Sequence, residues 1–302
     1  SSAACAKRAE KDRAMIVGHH AAHTPPDWTE PERWTFAGAV SYGSIAATWT
    51  KWVKDNWTGA RKPRVGALIY DNEAAWDSLE GIQMACEKFG LDFTSYEVVP
   101  FLGTIDTTTE LLRLAAGEPD WVYLGVCGGT EVTVIHDIAK LKLREKGIKF
   151  CIFPPGFVDA FVAFPEDIEG MWYATAVPLV LEYPESPEAQ FLYKRAEVME
   201  GWNPDQVNYS VMFVGVALAR CCTEAIRLAI EKVGVESVTG KDVRDMMVTL
   251  KDLNMEPIAP PITMTEDKPW ALDRVRIWKC EGGKVVPVTD WLSPILSRIK
   301  PK

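Results

Sequence analysis

The stretch RVGALIYDNEAAWDSLEGIQMACEKFG, residues 64–90, sets how the rest of the chain reads. Val65, Ala67, Leu68, Ile69 and Tyr70 form a nearly continuous apolar run. Such a run suits a parallel strand covered on both faces rather than a half-exposed hairpin strand. Asp71, Asn72 and Glu73 break it with turn chemistry. Trp76, Leu79, Ile82, Met84 and Phe89 then supply the apolar stripe of a helix, and Gly90 stops it. The turn lies at the carboxyl end of the strand, where open parallel sheets bind their ligands.

Downstream the pattern recurs. A strand over 93–100 leads through a loop at 101–106 to a helix over 107–116, whose threonines are placed to cap its start. A strand over 121–126 closes in Cys127-Gly128-Gly129-Thr130 before a helix over 132–146, and a strand over 149–153 runs into Pro154-Pro155-Gly156-Phe157. Three strand–loop–helix units predict an α/β fold with a parallel sheet. A strand over 171–177 and a proline-bearing, hinge-like connector over 179–187 follow, then helices over 188–201, 208–233 and 241–250. From residue 262 the pattern changes to strands over 262–265, 275–280 and 284–288, the last two around a Glu281-Gly282-Gly283 turn. Upstream, an alanine-rich helix precedes a short strand over 15–17, residues 34–39 read as extended, and Tyr42-Gly43-Ser44 opens a helix that ends near Gly59. A doubly wound domain ordinarily begins with a strand, so an earlier part of the fold is expected to lie outside these residues.

Composition removes several function classes. A net charge of -9 over 302 residues argues against a nucleic-acid partner, because phosphate binding needs a basic face. No apolar stretch approaches the roughly 20 residues of a membrane-spanning helix. The seven cysteines show no CxxC spacing and read as small buried hydrophobes. No signal-peptide pattern opens the sequence at Ser1.

Candidate chemistry is sparse. His19, His20 and His23 invite a zinc site, but His136 is the only other histidine and falls in a helical pattern; polar loop residues are the better reading. The glycines of GVCGG, residues 125–129, lack the GxGxxG spacing of a dinucleotide fingerprint. Cys127 has no histidine placed to activate it, and no serine sits in a GxSxG elbow. We expect no catalytic residue, no metal and no cofactor. What remains is a set of strand-end loops in which Tyr42, Trp76, Phe157 and Tyr209 would wall a pocket. Ser1 or Ser2 and backbone amides would hold a polar head group there.

Several segments, in order, carry a family resemblance: the serine-alanine start, MIVGHHAA, RVGALIYDNEAAW, GTIDTTTELLRLAAGEPDWVYLGV, KFCIFPPGF, EGMWYAT, NYSVMFVGVALA and PITMTEDKPWALDRVRIWK. From Ser1 to about Trp291 the chain resembles the type I periplasmic substrate-binding proteins of ABC transporters, in the leucine/isoleucine/valine-binding branch. The resemblance implies two doubly wound parallel-sheet lobes joined by three crossovers, closing on a small ligand held in the cleft between them. Lobe 1 would hold 1–38 and 179–268, and lobe 2 would hold 39–178 and 269–302. The family's opening strands are expected to be lacking ahead of Ser1.

Carried over residue by residue, the family's serine loop falls on Ser1 and Ser2. Its next strand-end loop falls on His20, Ala21 and Ala22, and an aromatic after the Asp-rich turn falls on Ala75 or Trp76. Cys127 and Gly128 stand where amino-acid binders carry an aromatic, and Pro155 where an acid would hold the ligand's ammonium. These departures favour a carboxylate, an aromatic acid or an amide over an α-amino acid. The resemblance implies a non-enzymatic, periplasmic binding protein with its signal peptide outside this sequence, delivering a small-molecule ligand to an ABC permease. The alternative in another class is a ligand-sensing module of a regulator or receptor with the same fold.

Overall fold

The computed structural model describes residues 8–9, 11–13, 15–18, 34–154, 157, 161, 164–199, 201, 207 and 212–296. The chain divides into two compact units: Ser1–Val40, Ala176–Arg274 and Arg298–Lys302 in unit 1, Ser41–Thr175 and Val275–Ser297 in unit 2.

Unit 2 is built around the opening stretch. Its elements are α1 (Tyr42–Asp55), β3 (Arg64–Tyr70), α2 (Glu73–Phe89), β4 (Asp92–Val99), α3 (Thr108–Ala116), β5 (Trp121–Gly125), α4 (Thr130–Lys140), β6 (Lys149–Ile152), β7 (Trp172–Thr175), β9 (Arg276–Glu281) and β10 (Lys284–Pro287). The seven strands form one sheet in the order β10-β9-β7-β6-β5-β3-β4. The five strands from β4 to β7 pair in parallel, and the β9–β10 hairpin adds an antiparallel edge. Every residue of β3 from Val65 to Tyr70 is buried, as an apolar run covered on both faces requires. Burying a side chain such as Leu68 or Ile69 stabilises by about 1.5–3 kcal/mol.

Local chemistry fixes the helix ends. Asn72 caps α2 by accepting from the Ala74 amide at 2.9 Å, and Gly90 closes it in the left-handed conformation at φ 74°. The helices α1 and α2 approach so closely that a Cβ at Gly81 would lie 2.1 Å from the Gly43 carbonyl oxygen. Only glycine fits there.

Unit 1, in its described residues, has a parallel three-stranded sheet in the order β1-β2-β8: β1 (Ile16–Gly18), β2 (Thr35–Ala39) and β8 (Trp270–Leu272). The helices α5 (Pro187–Val198), α6 (Met212–Val233) and α7 (Gly240–Met247) complete it. Thr239 and Asp242 form a capping box at the start of α7.

Several boundaries differ from those the sequence predicts. The segment 269–274 belongs to unit 1, because Trp270 and Leu272 pair with Ala37 and Ala39 of β2. Residues 262–265 form isolated bridges, Leu253 with Ile262 and Thr265 with Lys268, rather than a strand. The helix expected to run to residue 146 stops at Lys140 and gives way to turns, with Lys142 at φ 52°. The start of α3 is capped otherwise than expected. Thr107 sends its hydroxyl and amide to Asp137, and Asp106 accepts from the Thr108 amide.

Candidate functional site

The carboxyl ends of β3, β5 and β6 in unit 2 converge on a row of aromatic rings. Tyr70, the last residue of β3, packs against Phe101 in the loop after β4 at 5.0 Å between centroids. On its other side Tyr70 meets Phe153, one residue past β6, at 6.2 Å. Phe153 in turn meets Tyr42, the first residue of α1, at 4.5 Å. Tyr70 ends β3 and Phe153 follows directly on β6, so the parallel sheet brings both rings to the same end. A second group stacks Phe157 on Tyr173 of β7 at 4.2 Å, with Trp278 of β9 behind at 5.6 Å.

Polar groups punctuate the row. The Cys127 thiol, in the loop after β5, donates to the Tyr70 hydroxyl at 3.4 Å. Gly128 lies at φ 73°, and a Cβ on it would stand 3.5 Å from the Phe101 ring. Ser41 caps α1 by accepting from the Ser44 amide at 3.1 Å. Burial holds the Tyr42 phenol far above its ordinary pKa. Burial does the same to Tyr70. Both phenols are therefore neutral at physiological pH, the form that donates a hydrogen bond.

The carboxylates at this end of the sheet are engaged. Asp77 accepts from the Gly43 amide at 2.5 Å, Glu131 from the Gly129 amide at 3.0 Å, and Asp71 from the Trp76 indole at 2.9 Å. Two hollows lie elsewhere within the units. One of about 540 Å³ beside Phe191 and Arg220 is in unit 1, and one of similar size beside Arg144 and Gly170 is in unit 2.

The structure thus brings Tyr42, Cys127 and Gly128 to one end of the sheet, and Phe157 to the neighbouring aromatic group. Trp76 does not join them: its ring turns to Tyr96 on β4 at 6.0 Å. Ser1, Ser2, His20, Ala21, Ala22, Pro155 and Tyr209, with His19 and His23, lie outside the described residues. Sequence reasoning missed Tyr70, Phe101 and Phe153. The signal was available for Tyr70, the last residue of a buried parallel strand and so the one nearest the ligand-binding end. Among the described residues no three histidine, cysteine or acidic side chains gather as a metal site. No described helix is long and apolar enough to cross a membrane.

A periplasmic binding protein family model matches residues 1–284. The chain belongs to that family. This is the family whose motifs the sequence carries in order. No curated protein matches the chain. Among solved structures, the periplasmic binding protein resembles one of a branched-chain amino acid ABC transporter from Thermus thermophilus with bound valine. The TM-score is 0.79 at 18% identity, covering 97% of this chain and 75% of that one. It also resembles a solute-binding protein of an ABC transporter from Rhodopseudomonas palustris BisB5 in complex with 3,4-dihydroxybenzoic acid. There the TM-score is 0.69 at 16% identity, covering 99% and 77%. A third is an R. palustris ABC transporter solute-binding protein in complex with benzoate, with TM-score 0.70 at 16% identity, covering 97% and 75%. At these identities the likenesses establish the fold, a type I periplasmic binding protein fold of mostly parallel α/β construction.

Proposed function

We propose that this periplasmic binding protein is a non-enzymatic, extracytoplasmic component of an ABC importer that binds a small carboxylate or amide, aromatic acids foremost. One observation carries the ligand class. The strand-end row gathers the rings of Tyr42, Tyr70, Phe101 and Phe153 at the carboxyl end of the parallel sheet, an aromatic lining with phenol hydroxyls that suits an aromatic acid. A ligand carboxylate would accept from the Tyr70 hydroxyl, at the carboxyl end of β3. An α-ammonium would need a charged acceptor, and Pro155 stands where the family places one.

The fold accommodates both chemistries: the T. thermophilus structure holds valine, and the two R. palustris structures hold benzoate and dihydroxybenzoic acid. Family membership supports an extracytoplasmic location and a membrane permease as the partner.

The test is a thermal-shift screen of ligand-stripped protein against aromatic and aliphatic carboxylates, amides, α-amino acids and sugars. A ligand at about 100 times its dissociation constant stabilises by about 2.7 kcal/mol, an easily read shift. A response to carboxylates or amides supports the proposal. A response confined to α-amino acids contradicts the ligand class, and silence across the panel contradicts solute binding of these kinds.

A further inference from the structure

The hollow of about 540 Å³ in unit 1 is lined by α5, α6 and the turn at Leu253 and Asn254. A volume of that order suits a small organic molecule. Helical repeat builds its walls. Glu188 and Phe191 stand three positions apart on α5, and Val216, Ala219 and Thr223 recur at three- and four-residue spacing on α6, so each set shares a face. Val216, Ala219 and Leu253 make much of the wall aliphatic.

Two lining residues are left incomplete by the fold. Glu188 is only 8% exposed, a carboxylate taken almost wholly out of water. Its Oε1 accepts from the Arg220 guanidinium, which also donates to the Asn254 carbonyl at 3.1 Å. Its Oε2 is buried with no hydrogen-bond partner among the described residues. Buried carboxylate oxygens are ordinarily paired, because an unmet acceptor keeps its full desolvation cost. Phe191 is the opposite case, a large ring lining the hollow yet 61% exposed.

Together these features select the occupant. The spare oxygen calls for a hydrogen-bond donor, the exposed ring attracts a cation over its face, and the aliphatic wall takes an apolar body. An anion would meet Glu188 and Glu224, two carboxylates against the single guanidinium of Arg220 in the lining. Arg227, one turn along α6, binds Glu224 at 2.9 Å, which leaves Glu188 as the acceptor. A quaternary ammonium has no N–H to give it.

We propose that this hollow is a second small-molecule site, taking a primary ammonium ion with an apolar tail. The ammonium donates to Glu188, and the tail lies against Phe191 and the aliphatic side chains of α6. The site lies wholly within unit 1 and does not depend on what the strand-end row of unit 2 binds.

The experiment is calorimetric titration of the full chain with 2-phenylethylammonium chloride, compared with 2-phenylethanol and the trimethylated ammonium. Saturable binding of the primary ammonium is expected, with both comparators at least tenfold weaker. Phe191→Ala changes an exposed position and should keep the melting temperature while weakening binding at least tenfold. Glu188→Gln keeps an acceptor for Arg220 but loses the charge, and should weaken binding by at least as much. Should Glu188→Gln fail to fold, Phe191→Ala decides alone. Absence of saturable heat with wild type overturns the proposal, as does equal affinity for the alcohol or the trimethylated ion. Affinity unchanged in Phe191→Ala but lost in Tyr70→Phe also overturns it, by placing the ammonium at the strand-end row.

Discussion

Replacing Gly81 by alanine adds one methyl group, and the structure specifies where it goes. The new Cβ would lie 2.1 Å from the Gly43 carbonyl oxygen, 2.7 Å from the Gly43 carbonyl carbon and 2.8 Å from its Cα. All three atoms are backbone, so no rotamer change relieves the contact, and α1 and α2 must separate by about 1 Å. Overpacking costs about 1–3 kcal/mol, and an unyielding partner puts this site at the upper end. The same displacement strains the bond from the Gly43 amide to the Asp77 carboxylate, a charge-assisted interaction of about 1.5–3 kcal/mol. Alanine returns about 1 kcal/mol through its better helix propensity. The net loss is about 4 kcal/mol, which at about 2–4 °C per kcal/mol lowers the melting temperature by about 10 °C. Calorimetric melting measures it, with Gly215→Ala as the control. Gly215 lies exposed within α6 with nothing within 4 Å of an added Cβ, so there alanine should stabilise by about 0.5–1 kcal/mol. If both variants shift the melting temperature upward alike, the close approach of α1 and α2 is refuted.

Tyr70→Phe removes the hydroxyl proposed to meet the ligand's carboxylate while keeping the ring stack. Affinity for the best carboxylate should fall about 10- to 150-fold, a hydrogen bond to a charged group being worth about 1.5–3 kcal/mol. The melting temperature of the free protein should barely move, and an unchanged affinity would remove Tyr70 from the site. Thiol labelling of native protein with Ellman's reagent should find Cys127 reactive. Cys86, Cys221 and Cys280 should stay silent, since burial pushes each up to about 12. Bound ligand should slow the Cys127 reaction, and labelling at an unaltered rate under saturating ligand would place the ligand elsewhere. Glu169 accepts from the Gly282 and Gly283 amides, which hold its carboxyl below the ordinary range. A carboxyl depressed in the folded state stabilises above its unfolded pKa, and that stability is lost as pH falls through the folded value. The melting-temperature gap between wild type and Glu169→Ala should therefore be present at pH 7 and close in acid. A gap that persists unchanged to pH 2 would show that the hairpin is not held by this carboxylate.

How far the sequence carries depends on the element. The unit around β3 is legible because its residues bear one unambiguous signal, an unbroken apolar run followed by turn chemistry and a helix stripe. The strand β8 is not: three residues beside Pro269 are too short to show a period, and only pairing with β2 reveals them. Trp76 and Tyr70 show why the site is harder. Both are aromatic residues near the same turn, but helix rotation sends Trp76 outward to Tyr96, while the strand direction delivers Tyr70 to the row. Sequence spacing states that both are close to the turn; it does not state which way the chain faces there. Phe101 and Phe153 sit in loops one or two residues past their strands, where periodicity ends and only the neighbouring strands in register bring them together.

We propose that the site takes a carboxylate in preference to an α-amino acid. It is tested most directly by calorimetric titration of ligand-stripped protein with a matched pair, 3-phenylpropanoate and L-phenylalanine, which differ only in that ammonium group. The expected result is saturable binding of 3-phenylpropanoate and at least tenfold weaker binding of phenylalanine. Tighter binding of phenylalanine would contradict it.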